Sequence, residues 1–285
     1  MVVSTLGLAL LTALDGVSGA AFYKWLHVLI HDPIRADFAV IKVSMPTYVL
    51  ALLFWPVARI MSSRGWTPAI FVLVVAIVVA AVSTSADASW AALSAGGVAW
   101  LSVRFVGKPA ARTLVALVAA PFVLGPVLMV WGLRSGFVAW LHEHVPNSWD
   151  ARLNIWAFTA NQIQAHAIRG WGIDASRTFG PAIPLHTHNA QLQLWLELGA
   201  IGAALAGVFF CWLAYGVVRI SQRSRGEAAA AAGALVSYLV IGALSFGVWQ
   251  EWWLGLGALT LVACGLARAT AETDWARRDE LTPIG

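Results

Sequence analysis

The most specific local pattern in this chain is a histidine followed at a fixed distance by two glycines. His188-Asn189 is followed by nine residues and then by Gly199-Ala200-Ile201-Gly202. On a helix, the two glycines return to the face of His188 within about 40°, and small residues there let another helix approach closely. Because imidazole titrates near neutral pH, a histidine at the end of such a helix is a candidate general base.

An arginine-bearing helix is predicted just upstream, over residues 150–168. Asp150 suits its first turn, where a carboxylate complements the helix dipole, and Gly170 and Gly172 end it. At 100° per residue the segment has two faces. One face carries Arg152, Trp156, Thr159, Ile163 and His166, and the other carries Asn154, Asn161 and Gln164. We predict that the first face covers a cavity, so that Arg152 meets a ligand rather than bulk water.

The composition predicts the kind of solvent in which these residues lie. The 285 residues are 60% hydrophobic and only 11% charged, against about 25% charged in ordinary globular proteins. A soluble domain of this size cannot bury so much apolar surface, so we predict an all-α polytopic integral membrane protein. Sixteen tryptophans fit this class, since indole rings favour membrane–water interfaces.

Several classes of partner are excluded by the same composition. The net charge of +4 comes without a dense Lys/Arg stripe, so we expect no nucleic acid. Cys211 and Cys264 lie in apolar runs and predict neither disulfides nor a metal cluster. His142-Glu143-His144 invites a metal interpretation, but positions i and i+2 of a helix point to different faces. We therefore predict no metal and no cofactor.

About eight apolar stretches are long enough to span a membrane as helices. They cover about 2–22, 44–62, 67–85, 89–106, 111–133, 189–218, 228–247 and 251–268. The first is not expected to be a cleaved signal peptide, because no basic residue precedes it and it contains Asp15. We treat residues 1–285 as a single membrane domain with a tail at 269–285.

The positive charges predict the orientation of these helices. Eleven of the 18 Lys and Arg residues fall on one side, which the positive-inside rule makes the cytoplasm, with both termini there. The opposite side carries a long loop, residues 134–187, between the fifth and sixth spanning helices. Arg152, Arg169 and Arg177 in this loop suggest an anionic ligand, although long loops also tolerate scattered charge. For Arg152 an ion pair with Asp150 or Asp174 is the alternative.

The two segments that flank the loop's last turn resemble a known family. SWDARLNIWAFTANQIQAHAIRGWGID, followed by HTHNAQLQLWLELGAIGAAL, is similar to the signature region of the O-antigen ligase and polymerase superfamily of bacterial membrane glycosyltransferases. A weaker likeness extends upstream to about Asp37. Three features depart from the family pattern: Ala167 replaces a proline, Ser85-Ala86-Asp87 lacks the family's Ser-Arg, and members usually have further N-terminal helices. We interpret the chain as a shortened member.

The resemblance implies a function for these residues. The enzyme would be a metal-independent glycosyltransferase that moves a glycan from an undecaprenyl-diphosphate carrier to a hydroxyl of the lipid A core or of a growing polysaccharide, at the periplasmic face of the inner membrane. His188 and Arg152 would be catalytic. The substrate-binding candidates are Arg169, Arg177, Asn189, His186 and Glu251, and the structural motif comprises Gly170, Gly172, Gly199 and Gly202.

Two other functions remain open from the sequence alone. Outer arginines also suit a transporter for a small anion, although few charged residues lie within the predicted spans. A non-catalytic component that binds lipid-linked glycan among polysaccharide assembly proteins would fit the shortened chain and the missing Ser-Arg. Neither the glycan and its acceptor nor the choice between ligase and polymerase is specified.

Overall fold

The computed structural model describes the backbone of residues 1–145 and 147–281, and the side chains of residues 1–145 and 149–270. Over these residues the chain is helical, with twelve α-helices and one short 3₁₀-helix at Ala175–Ala182. The α-helices are α1 (Val2–Val17), α2 (Ala21–Leu29), α3 (Ala36–Ser44), α4 (Pro46–Ser63), α5 (Thr67–Ser83), α6 (Asp87–Val106), α7 (Lys108–Arg134), α8 (Phe137–His144), α9 (Asn147–Ala165), α10 (Ala190–Ser221), α11 (Arg225–Leu244) and α12 (Glu251–Leu281). The prediction of an all-helical membrane protein is confirmed.

Fewer helices than predicted meet a strict requirement of length and apolar composition for a membrane span. Within the described residues five stretches meet it, and α1 with α2 would make a sixth if the bent pair is one span. The five are Ala36–Ser63, Lys108–Arg134, Ala190–Ser221, Arg225–Leu244 and Glu251–Thr270. The shorter α5 and the more polar α6 lie where two more spans were predicted. The number eight therefore stays a prediction.

The first predicted span ends earlier than expected, because Asp15 turns the chain. Its carboxylate accepts hydrogen bonds from the backbone N–H groups of Phe22 (2.8 Å) and Tyr23 (3.2 Å), which are free donors in the first turn of α2. Ala20, in the left-handed conformation, is the N-cap residue of α2. The two helix axes meet at 92°. A buried carboxylate thus caps a helix here, which explains an acid inside an apolar run.

The described residues form two compact units, and one of them contains the N-terminal helices. This unit comprises Met1–Gly107, Ile220–Tyr238 and the residues from Leu256 onwards. Its core lies among α1, α4 and α5, around Leu50, Met61 and Leu73. Small residues let helices meet closely there, as at Gly233, where an added Cβ would meet the ring of Trp55.

The other unit, Lys108–Arg219 with Leu239–Gly255, contains the 134–187 segment and α10. The segment packs on the first half of α10 through a cluster of Ile155, Ile163, Ile183, Leu192 and Leu196. On the α7 side, the indole N–H of Trp195 donates to the carbonyl oxygen of Phe122 at 2.7 Å. That carbonyl lies four residues before Pro126, which has no N–H to bond it within α7.

The amphipathic character of α9 agrees with the prediction. Thr159 and Ile163 are buried and Trp156 is half-buried, whereas all three amides of the opposite face are exposed. His166 was predicted on the buried face and is exposed instead, because α9 ends at Ala165, one residue before it. Its ring packs edge-on against Trp171, with ring centroids 4.1 Å apart.

Candidate active site

A break in α10 determines how the 134–187 segment docks. At Gly199 the backbone leaves the helical region (φ +65°, ψ −163°), so helical hydrogen bonds across this point are lost. The turn at 167–172 replaces them, offering both donors and acceptors to the opened helix. Four backbone bonds join the two: Trp171 N–H to Leu196 O (2.9 Å), Gly172 N–H to Glu197 O (2.9 Å), Ala200 N–H to Ala167 O (2.8 Å) and Ile201 N–H to Ile168 O (3.4 Å).

Two glycines make this close approach possible. A Cβ on Gly170 would collide with the backbone of Glu197, and a Cβ on Gly199 would collide with the backbone of Ile168. Both glycines have positive φ, which disfavours any side chain. The prediction that Gly199 and Gly202 admit a second helix is wrong. Gly199 admits a turn, and the space at Gly202 is filled by Leu198 of the same helix.

Glu197, two residues before this break, connects three segments through hydrogen bonds. Its side chain is fully buried, and its oxygens accept four hydrogen bonds. Two come from the backbone N–H groups of Asp174 (2.9 Å) and Ser176 (3.2 Å), one from Gln193 Nε2 (3.0 Å) and one from the indole of Trp249. A buried carboxylate is tolerable only when it is satisfied in this way. The acid therefore joins α10 to the segment at 174–176 and to the turn that contains Trp249.

His188 lies two residues before α10, in a backbone conformation that is unusual for a non-glycine residue. Its φ is +53°, in the left-handed region, which costs a non-glycine residue about 1–3 kcal/mol. Two hydrogen bonds maintain it: its backbone N–H donates to Nδ1 of His186 (3.1 Å), and its ring Nδ1 lies 3.0 Å from the carbonyl oxygen of Ser245.

The contact with Ser245 determines the tautomer of His188. A carbonyl oxygen can only accept, so Nδ1 carries the hydrogen and Nε2 of the neutral ring keeps its lone pair. Burial lowers the pKa of His188 below 6.5, and the charge of Arg152 lowers it further, while the bond to Ser245 acts in the opposite direction. The half-buried ring is therefore neutral at physiological pH and presents an unprotonated Nε2.

His186 supports this arrangement by accepting a hydrogen bond from the backbone N–H of His188. Burial, followed by the charges of His188 and Arg177, lowers its pKa to about 4, so the ring is neutral. Its Nδ1 is the acceptor for His188, so Nε2 carries the hydrogen and faces the side-chain amide of Gln250 at 3.3 Å. Rotating that amide by 180° places its oxygen as the acceptor and gives a partner to a buried oxygen that otherwise has none. His186 was predicted to bind substrate, and the structure places it as a support.

The guanidinium of Arg152 lies over an aromatic ring and forms neither of the ion pairs that the sequence offered. The alternative ion pairs are not formed, since Asp150 bonds His142 and Asp174 pairs with Arg177 at 2.9 Å. Within the described part of the chain, Arg152 has no carboxylate partner. Its guanidinium lies over the ring of Trp149, 5.1 Å from the centroid, and is close enough to His188 to lower the pKa of that ring.

The remaining predicted site residues are less enclosed. Asn189 is the N-cap of α10, where its Oδ1 accepts from the N–H of Leu192 at 2.9 Å. Arg169, Arg177 and Glu251 are exposed, and the charge of Arg177 is felt by His186. No group of three His, Cys, Asp or Glu side chains that could hold a metal occurs among the described residues.

Sequence reasoning missed the partners that come from the α11–α12 turn. Ser245, Gln250 and Trp249 contact His188, His186 and Glu197, which precede them by more than 50 residues. The only local signal was the polar pair Gln250-Glu251 beside three tryptophans, from which only Glu251 was selected. The structure instead uses Gln250 and leaves Glu251 exposed.

Comparison with known proteins gives this geometry a context. A model of the O-antigen ligase family matches residues 69–207, which include Arg152, His188 and Gly199. A protein of Rickettsia typhi named "Putative polysaccharide ligase" is 27% identical over 233 residues, which is 75% of this chain and 56% of the relative. A protein of Rickettsia felis with the same name is 27% identical over 252 residues, which is 83% of this chain and 61% of the relative.

The chain thus spans about three fifths of the length of these curated relatives. No solved structure matches it significantly. The family match covers the turn at 167–172, His188 just before α10, and Gly199, which breaks that helix. On these matches, the chain is similar to the O-antigen ligase family over residues 69–207, the region that holds the candidate site.

Proposed function

We propose that this protein transfers a glycan from an undecaprenyl-diphosphate carrier to an acceptor hydroxyl at the periplasmic face, in O-antigen or exopolysaccharide assembly. The acceptor is a sugar of the lipid A core or of a growing polysaccharide. One observation carries the proposal: His188 donates from Nδ1 to Ser245 and so presents a basic Nε2 in the neighbourhood of an unpaired arginine. The similarity of residues 69–207 to the O-antigen ligase family supports glycan transfer as the reaction type.

The proposed step breaks one bond and forms one. The acceptor oxygen attacks the anomeric carbon as the bond from that carbon to the diphosphate oxygen breaks. His188 Nε2 takes the proton of the hydroxyl, and the carrier leaves as undecaprenyl diphosphate with the bonding electron pair. Because its pKa is lowered, His188 then returns the proton readily to water.

The diphosphate is assigned to arginines. A guanidinium binds phosphate oxygens through two parallel hydrogen bonds and needs no metal to do so. Arg152 is the principal ligand, because its charge has no carboxylate partner among the described residues. Arg177 and Arg169 are exposed in the same segment and would bind the carrier's outer phosphate or the first sugar.

Separating binding from transfer tests these roles. We expect His188→Ala to retain affinity for lipid-linked glycan in nanodiscs and to lose about 10²–10⁴-fold in turnover. Arg152→Ala should instead lose donor affinity by about 10- to 150-fold, the worth of one charge-assisted phosphate contact. Arg152→Lys should also be impaired, because it keeps the charge without the two-pronged geometry.

Matched controls identify unspecific effects. His144→Ala and Arg134→Ala remove an exposed histidine and an exposed arginine from the same unit and should behave as the unchanged protein. Wild-type transfer by His188→Ala would place the catalytic base on another residue, whereas absence of transfer by the unchanged protein would favour a glycan-binding component or an anion transporter. Full activity of Arg152→Lys at limiting donor would contradict the proposal that Arg152 binds the phosphate through two parallel hydrogen bonds.

A further inference from the structure

Helix α2 presents its apolar side away from the protein. Phe22, Trp25, Leu26 and Leu29 fall within about 100° of arc on a helix. All four are exposed, with Trp25 and Leu29 each 53% accessible. A helix packed against a protein in water has the opposite arrangement, with its apolar side turned inward.

The polar side of α2 is the side that the protein covers. Tyr23, Lys24 and His27 are half-buried. Tyr23 packs against the small core at Ala20, Ala39 and Val43. The ring of His27 lies 4.7 Å from that of Tyr23 and donates from Nδ1 to the carbonyl oxygen of Asp32 at 2.8 Å. These contacts fix the rotation of α2, so its outward apolar face is imposed by the fold.

The direction of α2 indicates what covers this face. The helix lies at 92° to α1, whose apolar composition makes the pair a candidate membrane span. Leu10, Leu14 and Val17 of α1 are exposed and lead along that helix to the turn at Asp15. An apolar surface that begins on α1 therefore continues onto α2, and a helix perpendicular to a span runs along the membrane surface.

We propose that α2 is an interfacial helix that inserts Phe22, Trp25, Leu26 and Leu29 between phospholipids at the membrane surface where α1 ends. Buried apolar area drives such binding, and tryptophan is favoured at this depth because its ring is amphipathic. The carboxylate of Asp15 caps α2 and holds the right-angled turn that lays the helix in this plane.

Spin labelling in nanodiscs measures the depth directly. Single cysteines replace Phe22, Trp25, Leu26 and Leu29 in the full chain, with Cys211 and Cys264 changed to Ala, and each carries a nitroxide. Collision with oxygen, which is enriched in lipid, is compared with collision with Ni(II)EDDA, which stays in water. Leu205, exposed near the middle of α10, serves as the hydrocarbon reference, and Asn161, exposed on α9, serves as the water reference.

We expect all four labels to report depths between the two references, with mobile spectra. Values equal to those at Asn161 would place α2 in water, and values equal to those at Leu205 would place it in the hydrocarbon core. Immobile labels that neither reagent reaches would mean that protein covers the helix. Each of these three results would overturn the proposal. Because the replaced side chains are exposed, the labelled proteins should insert and fold as the parent does.

Discussion

At the scale of single residues, the candidate chemistry depends on two histidines with different tasks. His186 is buried and accepts from the backbone of His188, whereas His188 keeps one ring nitrogen for a substrate. The left-handed backbone of His188 is consistent with a functional position, because such strain persists only where surrounding contacts enforce it. The two rings differ in role because both nitrogens of His186 already have protein partners, whereas only Nδ1 of His188 has one.

The pH dependence of transfer should reflect the lowered pKa of His188. Since the neutral ring is the base, activity is present above its pKa and is lost as the pH falls through it. That pKa lies below 6.5, so the acidic limb of the turnover profile should also lie below pH 6.5. His186 should remain neutral down to about pH 4. Turnover measured with lipid-linked glycan between pH 4 and 8 gives the limb, and a midpoint at or above 6.5 would contradict it.

Glu197 should be more important for stability than for chemistry. Glu197→Gln replaces one acceptor oxygen by an NH₂ group that must face an N–H donor, leaving buried groups unpaired. A loss of about 1–3 kcal/mol in unfolding free energy is expected, visible as a lower midpoint in thermal unfolding. Glu143→Gln, on the exposed surface of α8, is the matched control. Equal midpoints for the two variants would show that the carboxylate is not needed.

At the scale of elements, the break in α10 at Gly199 creates the site where the 134–187 segment docks. An unbroken α10 would use its own backbone groups between Leu196 and Ile201, and none would be free for the turn at 167–172. The break exchanges local hydrogen bonds for bonds to a turn about 30 residues upstream, so their number is maintained. The packing of Ile155, Ile163 and Ile183 on α10 then adds apolar burial to the same docking.

Substituting the glycine at the break tests this docking. Gly199 has a conformation open to almost no other residue, and its Cβ position is occupied by the backbone of Ile168. Gly199→Ala should therefore destabilise the fold by about 3 kcal/mol or more. Gly216→Ala, in the same helix with open space around it, should be neutral or slightly stabilising. Thermal unfolding in detergent separates the two, and similar midpoints would show that the turn does not dock as described.

At the scale of the whole molecule, the distribution of charge predicts the orientation in the membrane. The eleven Lys and Arg residues assigned to one side outnumber the seven on the other, which occur in its two longer segments. Reporter fusions at Arg64, Arg112 and Arg225 should therefore show a cytoplasmic location, and a fusion at Asp174 a periplasmic one. A cytoplasmic signal at Asp174 would reverse the orientation and place His188 on the wrong side for a periplasmic acceptor.

The sequence by itself determined the helical, membrane-embedded character of the chain and the positions of most helices. Apolar composition and 3.6-residue periodicity are local properties, and they remain valid whatever the helices pack against. For the same reason the amphipathic face of α9 could be predicted. Arg152 and His188 stay candidates, and both lie in the same compact unit. The N-cap at Asn189 likewise needs only its own first turn.

Only the tertiary structure decided how those residues are held. The 3.6-residue periodicity predicted a continuous helix through Gly199. A glycine indicates a flexible backbone, but it does not identify the segment that will contact it. Asp15 could not be assigned to α2 from a pattern of spans, and the partners of His188 and His186 come from positions 57 and 64 residues away. Hydrogen bonds between such distant residues leave no periodic trace in a sequence, since their geometry exists only after the chain has packed.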